Sequence, residues 1–324
     1  MMRVRVTPAL SVVTTCLFLL AAAILLNAVA TAARAELLPA VLADHPVAYW
    51  RLDQSTGDFV SVIGGNYPGT DVNHLVTRGI DGPQPPAFPG LEAANKGILL
   101  NNTPGSGTAV NYVSVAHDTA FNPEQSDWTI EAWVYLTATQ GAEGYIVSKM
   151  DGSRNGYGLE LPNTNVPMVT FREAAGHGGY SQEVLTVAGS AALSLNSWHH
   201  LVSTIVRNAT ETQDRVTVYV DGNQVGTLLS DKVFGWSLTP TGSLTTGALG
   251  SNFGFKGSID EVALYRTALT TDQVQAHYHA AFTVPEPASS LMGGSGFLLG
   301  IAAYGWRRRK RSEGGGRPGR HRRN

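Results

Sequence analysis

Cysteine is nearly absent: the chain has one, Cys16, inside an apolar run near its start. No disulfide framework and no thiol chemistry therefore supports the sequence that follows it. The short signatures of several common catalytic centres are missing too. There is no Gly-x-Ser-x-Gly elbow, no phosphate-cradling glycine loop and no His-Glu-x-x-His helix. Positive charge is scarce where nucleic acid would need it. Of the 23 Lys and Arg residues, three precede residue 36 and nine follow Trp306, leaving 11 against 24 acidic side chains over residues 36–306, a balance of −13. Such a body repels phosphate backbones, so nucleic acid is not an expected partner. It suits an extracytoplasmic protein and is compatible with a bound divalent cation.

What is present begins at the ends. Arg3 and Arg5 precede an apolar run from Leu10 to Ala30, which closes on Ala33-Arg34-Ala35. That order of basic, apolar and small residues predicts a cleaved signal peptide over 1–35, with a permanent anchor as the alternative. Near the other end Pro285-Glu286-Pro287 leads into 19 mostly apolar residues, Ala288 to Trp306, and then Arg307-Arg308-Arg309-Lys310-Arg311. A span of that length followed by a basic cluster predicts a membrane segment with its C-terminal side in the cytoplasm. Both ends then place residues 36–283 outside. The tail resembles the PEP-CTERM sorting signal of bacterial envelope proteins. The resemblance implies a sorting segment over 284–311, with Pro285, Glu286 and Pro287 read by an exosortase-type processing enzyme, and a basic cytoplasmic tail over 312–324.

The middle of the chain reads as one all-β domain. In Thr129–Leu136, Ile130, Ala132, Val134 and Leu136 fall on one face and Glu131, Trp133 and Tyr135 on the other. Asp221-Gly222 between two apolar runs predicts a hairpin. Further strands are expected at 112–116, 145–149, 157–161, 166–171, 200–206 and 258–265, which argues for two packed antiparallel sheets. One helix is expected late in the domain: Thr270 and Gln273 form a capping box, Leu269 can staple onto Val274, and Val274, Tyr278 and Ala281 share a face. Asp81 to Gly90, with four prolines, reads as a loop.

Five segments then carry a family resemblance: Ala48–Asp53 (AYWRLD), Trp128–Val134 (WTIEAWV), Trp198–Val202 (WHHLV), Val218–Gly222 (VYVDG) and Gly257–Tyr265 (GSIDEVALY). Together and in this order they resemble the LamG-type members of the concanavalin A-like lectin/glucanase superfamily. The resemblance implies a jelly-roll sandwich of two antiparallel sheets with one short C-terminal helix. It also implies a structural calcium ion, with Asp260 as the best candidate ligand and Asp53 as a weaker one, although Gln54 and the lack of an acid around Ser61 and Val62 depart from the family pattern.

The superfamily includes glucanases, whose retaining mechanism needs two carboxylates about 5 Å apart on one face. Glu131 is the single acid of its strand, and alternation sends the adjacent Asp260 and Glu261 to opposite faces. Neither satisfies that requirement, so the chain is expected to be non-enzymatic. His277 and His279 lie two apart on the helix and so make no metal pair, and His199 and His200 take edge or packing roles. Asp151 to Asn155 resembles the start of a calcium loop, but Pro162 stands where the closing glutamate belongs, and a hairpin turn explains it better. For carbohydrate, the rings available in glycine-rich stretches are Trp236, Phe253 and Phe255. The expected function is an exported binding or adhesion module of the cell envelope or matrix. Its expected partner is extracellular polysaccharide or a surface protein; a structural matrix component or a glycoside-active enzyme are the alternatives.

Overall fold

The structure is a computed structural model, and it describes residues 37–103, 110–151, 155–173, 183–232 and 234–283. Strands β1 (Ala48–Trp50), β3 (Thr77–Asp81), β4 (Lys96–Asn101), β6 (Trp128–Tyr135), β11 (Trp198–Val206), β12 (Asp214–Val220), β13 (Asn223–Ser230) and β15 (Lys256–Tyr265) form the first sheet. Its order is β13-β12-β11-β6-β15-β4-β3, with β1 pairing β15 beyond the end of β4. The second sheet contains β2 (Gly69–Val72), β5 (Tyr112–Val115), β7 (Gly144–Met150), β8 (Gly156–Leu161), β9 (Met168–Glu173), β10 (Glu183–Ala188) and β14 (Leu244–Thr246), ordered β10-β9-β8-β7-β14-β5-β2. Every pairing between these strands is antiparallel.

The facing sides of the two sheets make the main core. Ile130, Ala132 and Val134 of β6, and Leu136 just after it, point into it, as their alternation predicts, against Tyr157, Leu159 and Leu161 of β8 and Val169 and Phe171 of β9. Trp128 is also fully buried there and tilts against Tyr157 at 5.7 Å.

The outer side of the first sheet is buried as well. A second apolar cluster there joins Tyr49, Trp133, Val202, Tyr219 and Tyr265 from the strands to Leu37 and Val41 of α1 (Leu37–Ala43) and Val274 and Ala281 around α2 (Thr271–Ala280). The capping box at Thr270 and Gln273 is present. Helix α1, which strand-and-turn patterning does not announce, makes two α-helices among the described residues where one is expected. The two helices are tied together through Asp44, which accepts from Gln273 Nε2 at 2.7 Å and pairs with His277 Nε2 at 2.9 Å. Gly90 joins both ends of the domain: its carbonyl accepts from the Leu37 N–H at 3.2 Å and its N–H donates to the Ala281 carbonyl at 2.9 Å.

Candidate functional site

The carboxylates of β15 do not lie as strict alternation places them. The ladder between β15 and β6 slips between Asp260, opposite Trp133, and Ala263, opposite Glu131. Glu261 takes the extra position in the left-handed region, with φ 52°. The inward set becomes Ile259, Val262 and Leu264. Asp260 and Glu261 therefore belong to one connected polar cluster, not to two separate faces.

In that cluster Arg51 Nε donates to Glu261 Oε1 at 3.2 Å, its terminal nitrogens donate to Glu92 at 3.0 and 2.5 Å, and the Tyr49 hydroxyl donates to Glu261 Oε2. Asn95 accepts from Arg51 at 2.9 Å and donates to Asp260 Oδ2 at 2.8 Å. Burial, with the neighbouring Glu261 charge, pushes the Asp260 carboxyl well above its ordinary range. Burial also pushes Glu261 up, against the opposing pull of Arg51.

These contacts decide the calcium question for Asp260. Its Oδ2 faces the Asn95 amide, and its Oδ1 accepts from the Glu261 N–H at 2.9 Å. The loop closes on it so tightly that a Cβ on Gly82 would lie 2.4 Å from Oδ2. Asp53 is exposed. Among the described residues no group of three or more His, Cys, Asp or Glu side chains converges to hold a metal. Nitrogen donors occupy the oxygens that calcium would need, so Asp260 and its neighbours do not fit the ion.

Glu131 sits in a second buried cluster on the same outer side. It accepts from His200 Nε2 at 2.7 Å and from the Tyr265 hydroxyl at 2.6 Å, and it pairs with His277 Nδ1 at 3.1 Å. Burial disfavours its charge, but His277 and His200 outweigh that and hold its pKa well below the usual carboxylate range. Burial would likewise lower His277, yet Glu131 and Asp44 together hold it up at about 9. His200, expected at an edge or in simple packing, is thus a buried partner of Glu131 and stacks on Trp133 at 5.1 Å. Glu131, Asp260 and Glu261 are each at most 2 % exposed. They hold the helices and the 82–95 loop to the sheet, out of reach of a glycosidic bond.

Of the three rings expected to meet carbohydrate, two are packed inside. Phe255 is fully buried and Trp236 is 7 % exposed, both in the main core. Each fills inter-sheet space instead of presenting a face to solvent. Phe253 differs: it is half-buried and lines an open depression of about 290 Å³ with Met150, Asp151, Leu249, Gly250, Ser251 and Asn252. The rim of this depression is fixed by backbone. Leu249 and Asn252 exchange two hydrogen bonds of 3.0 Å, and the Phe253 carbonyl accepts from the Tyr145 N–H at 3.0 Å. The Phe253 ring meets Tyr145 edge-on at 6.2 Å. A second depression, about 300 Å³ between Asp58, Asp71, His74 and Arg78, has no Trp, Tyr or Phe on its lining.

Pro285, Glu286 and Pro287, the signal segment and the apolar tail lie outside the described residues. Among the described residues no helix is long and apolar enough to cross a membrane.

The sheet orders and the antiparallel pairing define a jelly-roll sandwich of lectin type, with its polar clusters turned inward under a helical cover. The chain belongs to the Concanavalin A-like lectin/glucanases superfamily, whose profile matches residues 106–275. No curated protein matches it in sequence. Among solved structures, it is similar in fold to the binding domain of Paraclostridial Mosquitocidal Protein 1, with a TM-score of 0.55 at 17% identity over 75% of this chain and 53% of that one. It is also similar to the botulinum neurotoxin serotype G binding domain, with a TM-score of 0.51 at 12% identity over 72% of this chain and 51% of that one. The chain thus spans about half the length of the structures it matches.

Proposed function

We propose that the chain is an exported binding module that holds extracellular carbohydrate in the depression under Phe253. The observation that carries this reading is a half-buried aromatic ring on a backbone-locked turn, flanked by the exposed Ser251 and Asn252 and by Asp151. A ring face meets the C–H side of a sugar, while hydroxyl, amide and carboxylate groups beside it take the sugar's hydroxyls. Membership of a lectin-containing superfamily supports the reading, as do the two similar structures, both described as binding domains. The burial of Glu131, Asp260 and Glu261 favours binding over glycoside cleavage. Export rests on the signal-like start and the PEP-CTERM-like tail.

A glycan array probed with the purified protein and with Phe253→Ala tests this. The expected result is a defined set of retained polysaccharides, each weakened about tenfold by loss of the ring. Retention unchanged in Phe253→Ala would remove the depression from the reading. Capture of a surface protein with no glycan retained would replace carbohydrate by a protein partner, and no retention of either would favour a matrix component.

A further inference from the structure

At one end of the sandwich three polar side chains form a chain that the binding reading does not use. His199 is the second residue of β11, Asp221 opens the two-residue turn between β12 and β13, and Ser194 lies in the loop entering β11. Ser194 Oγ is 2.8 Å from His199 Nε2, and His199 Nδ1 is 2.8 Å from Asp221 Oδ2. The other Asp221 oxygen accepts from the His200 N–H at 2.9 Å, so the carboxylate is fixed on both sides. The turn that presents it is built for the purpose: Asp221 and Gly222 both have positive φ, 52° and 75°, as a tight hairpin of this hand requires.

The loop carrying the serine is pinned as well. Leu193 N–H donates to the Asn165 carbonyl at 2.9 Å, and Asn196 N–H donates to the Leu136 carbonyl at 2.7 Å, one on each side of Ser194. A carboxylate facing Nδ1 makes that nitrogen the donor, which leaves the Nε2 lone pair toward the serine hydroxyl. Nucleophile, base and orienting acid thus stand in hydrogen-bond succession.

Three features separate this chain from the buried Glu131 cluster. Ser194 is exposed, so a substrate reaches it without the protein opening. Among the described residues the backbone N–H of Leu195, next after the serine, has no acceptor and is free for a developing oxyanion. The Leu195 side chain, 40 % exposed, offers apolar contact to an acyl group beside that donor.

We propose that Ser194, His199 and Asp221 form an acyl-transfer centre that hydrolyses carboxylic esters of small acids, the kind of ester an acylated surface polymer carries. Ser194 Oγ attacks the ester carbonyl carbon while its proton passes to His199 Nε2. The tetrahedral oxyanion takes the Leu195 N–H, and collapse breaks the carbon–oxygen bond as His199 returns the proton to the leaving alcohol. Water then attacks the acyl-serine, gives a proton to His199, and the carboxylic acid departs as Ser194 regains its hydrogen. One ester and one water yield one alcohol and one acid. Asp221 is a positioning residue that holds the imidazole in the productive tautomer.

The test uses the full chain with p-nitrophenyl acetate as substrate and a fluorophosphonate as covalent probe. The expected result is one phosphonyl group per chain, mapped to Ser194 by peptide mass, and hydrolysis that falls on the order of a hundredfold in Ser194→Ala. Because Ser194 is exposed, that variant keeps the parent melting temperature, and the loss reads as chemistry. Asp221→Asn lowers kcat with KM unchanged, a split that a merely structural contact does not produce. Hydrolysis equal in Ser194→Ala and the parent, or a probe that spares Ser194, would overturn the proposal and leave the three residues as a hydrogen-bonded fastening of the loop to the hairpin.

Discussion

His277 illustrates how one side chain can tie several elements together. It lies on α2, pairs with Glu131 of β6 through one nitrogen and with Asp44 beside α1 through the other. Its pKa of about 9 exceeds the ordinary histidine value of 6.5. A raised pKa means stability that is fully present below the unfolded value and lost as pH rises through the folded one. Stability should therefore drop on the order of 2 kcal/mol between pH 7 and 10. Glu131 contributes in the opposite sense, since its depressed pKa adds stability above about pH 4.5 that is lost in acid. Chemical denaturation across pH 7 to 10 checks this: His277→Gln should remove most of the alkaline decline, and an unchanged decline would assign it to other groups. The two-residue spacing on α2 keeps His277 from pairing with His279, but nothing local announces its carboxylate partners, because residues 44, 131 and 277 meet only through the sheet and two helices.

The adjacent carboxylates of β15 mark a limit of the same kind. Period-two alternation sends Asp260 and Glu261 apart, and the bulge at Glu261 undoes that. A signal was available in the apolar spacing, since Ile259, Val262 and Leu264 step by three and then two. A strand without a bulge would step by two throughout.

At the scale of elements, the strands with clear apolar alternation were legible, the four-residue β5 among them, whereas β4 and β10, six residues each, were not. Expected strands at 145–149, 157–161 and 200–206 correspond to β7, β8 and β11, each slightly longer in the structure. Strands β1 and β14 have three residues each, too few for a periodic pattern to show. Helix α2 was announced by its capping box, whereas α1 packs a seven-residue apolar stretch just after the expected signal. Both helices depend on the loop that ends at Gly90. A Cβ there would lie 1.8 Å from the Ala280 carbonyl oxygen, a backbone atom with no freedom to yield. Gly90→Ala should cost roughly 2–4 kcal/mol. Hydrogen exchange should show the α2 amides opening first; protection equal to the parent would mean that the loop shifts without cost.

For the whole molecule, composition and order of motifs were enough for the architecture but not for the binding surface. Trp236, Phe253 and Phe255 carried the same sequence signal, rings among glycines, and only Phe253 reaches solvent in part. Which ring of such a stretch turns outward depends on inter-sheet packing, and packing is not written in the neighbours of a residue. The Ser194–His199–Asp221 chain was hidden for a related reason. Its members have no motif in common, and they meet because β11 and the hairpin turn happen to end side by side.

Gly90 makes hydrogen bonds to Leu37 at the start of the domain and to Ala281 near its end, so the polypeptide very nearly forms a closed ring. A ring has no privileged starting point. A circular permutant that joins residue 283 to residue 37 through a short Gly-Ser linker, and opens the chain between the exposed Gly64 and Gly65, should melt within about 5 °C of the parent. A much lower melting temperature would show that the turn around residues 61–66, or the joined ends, carries stability that closing the ring does not replace. If the permutant holds, this domain can be spliced into another protein as a cassette, entering and leaving through neighbouring points on one side.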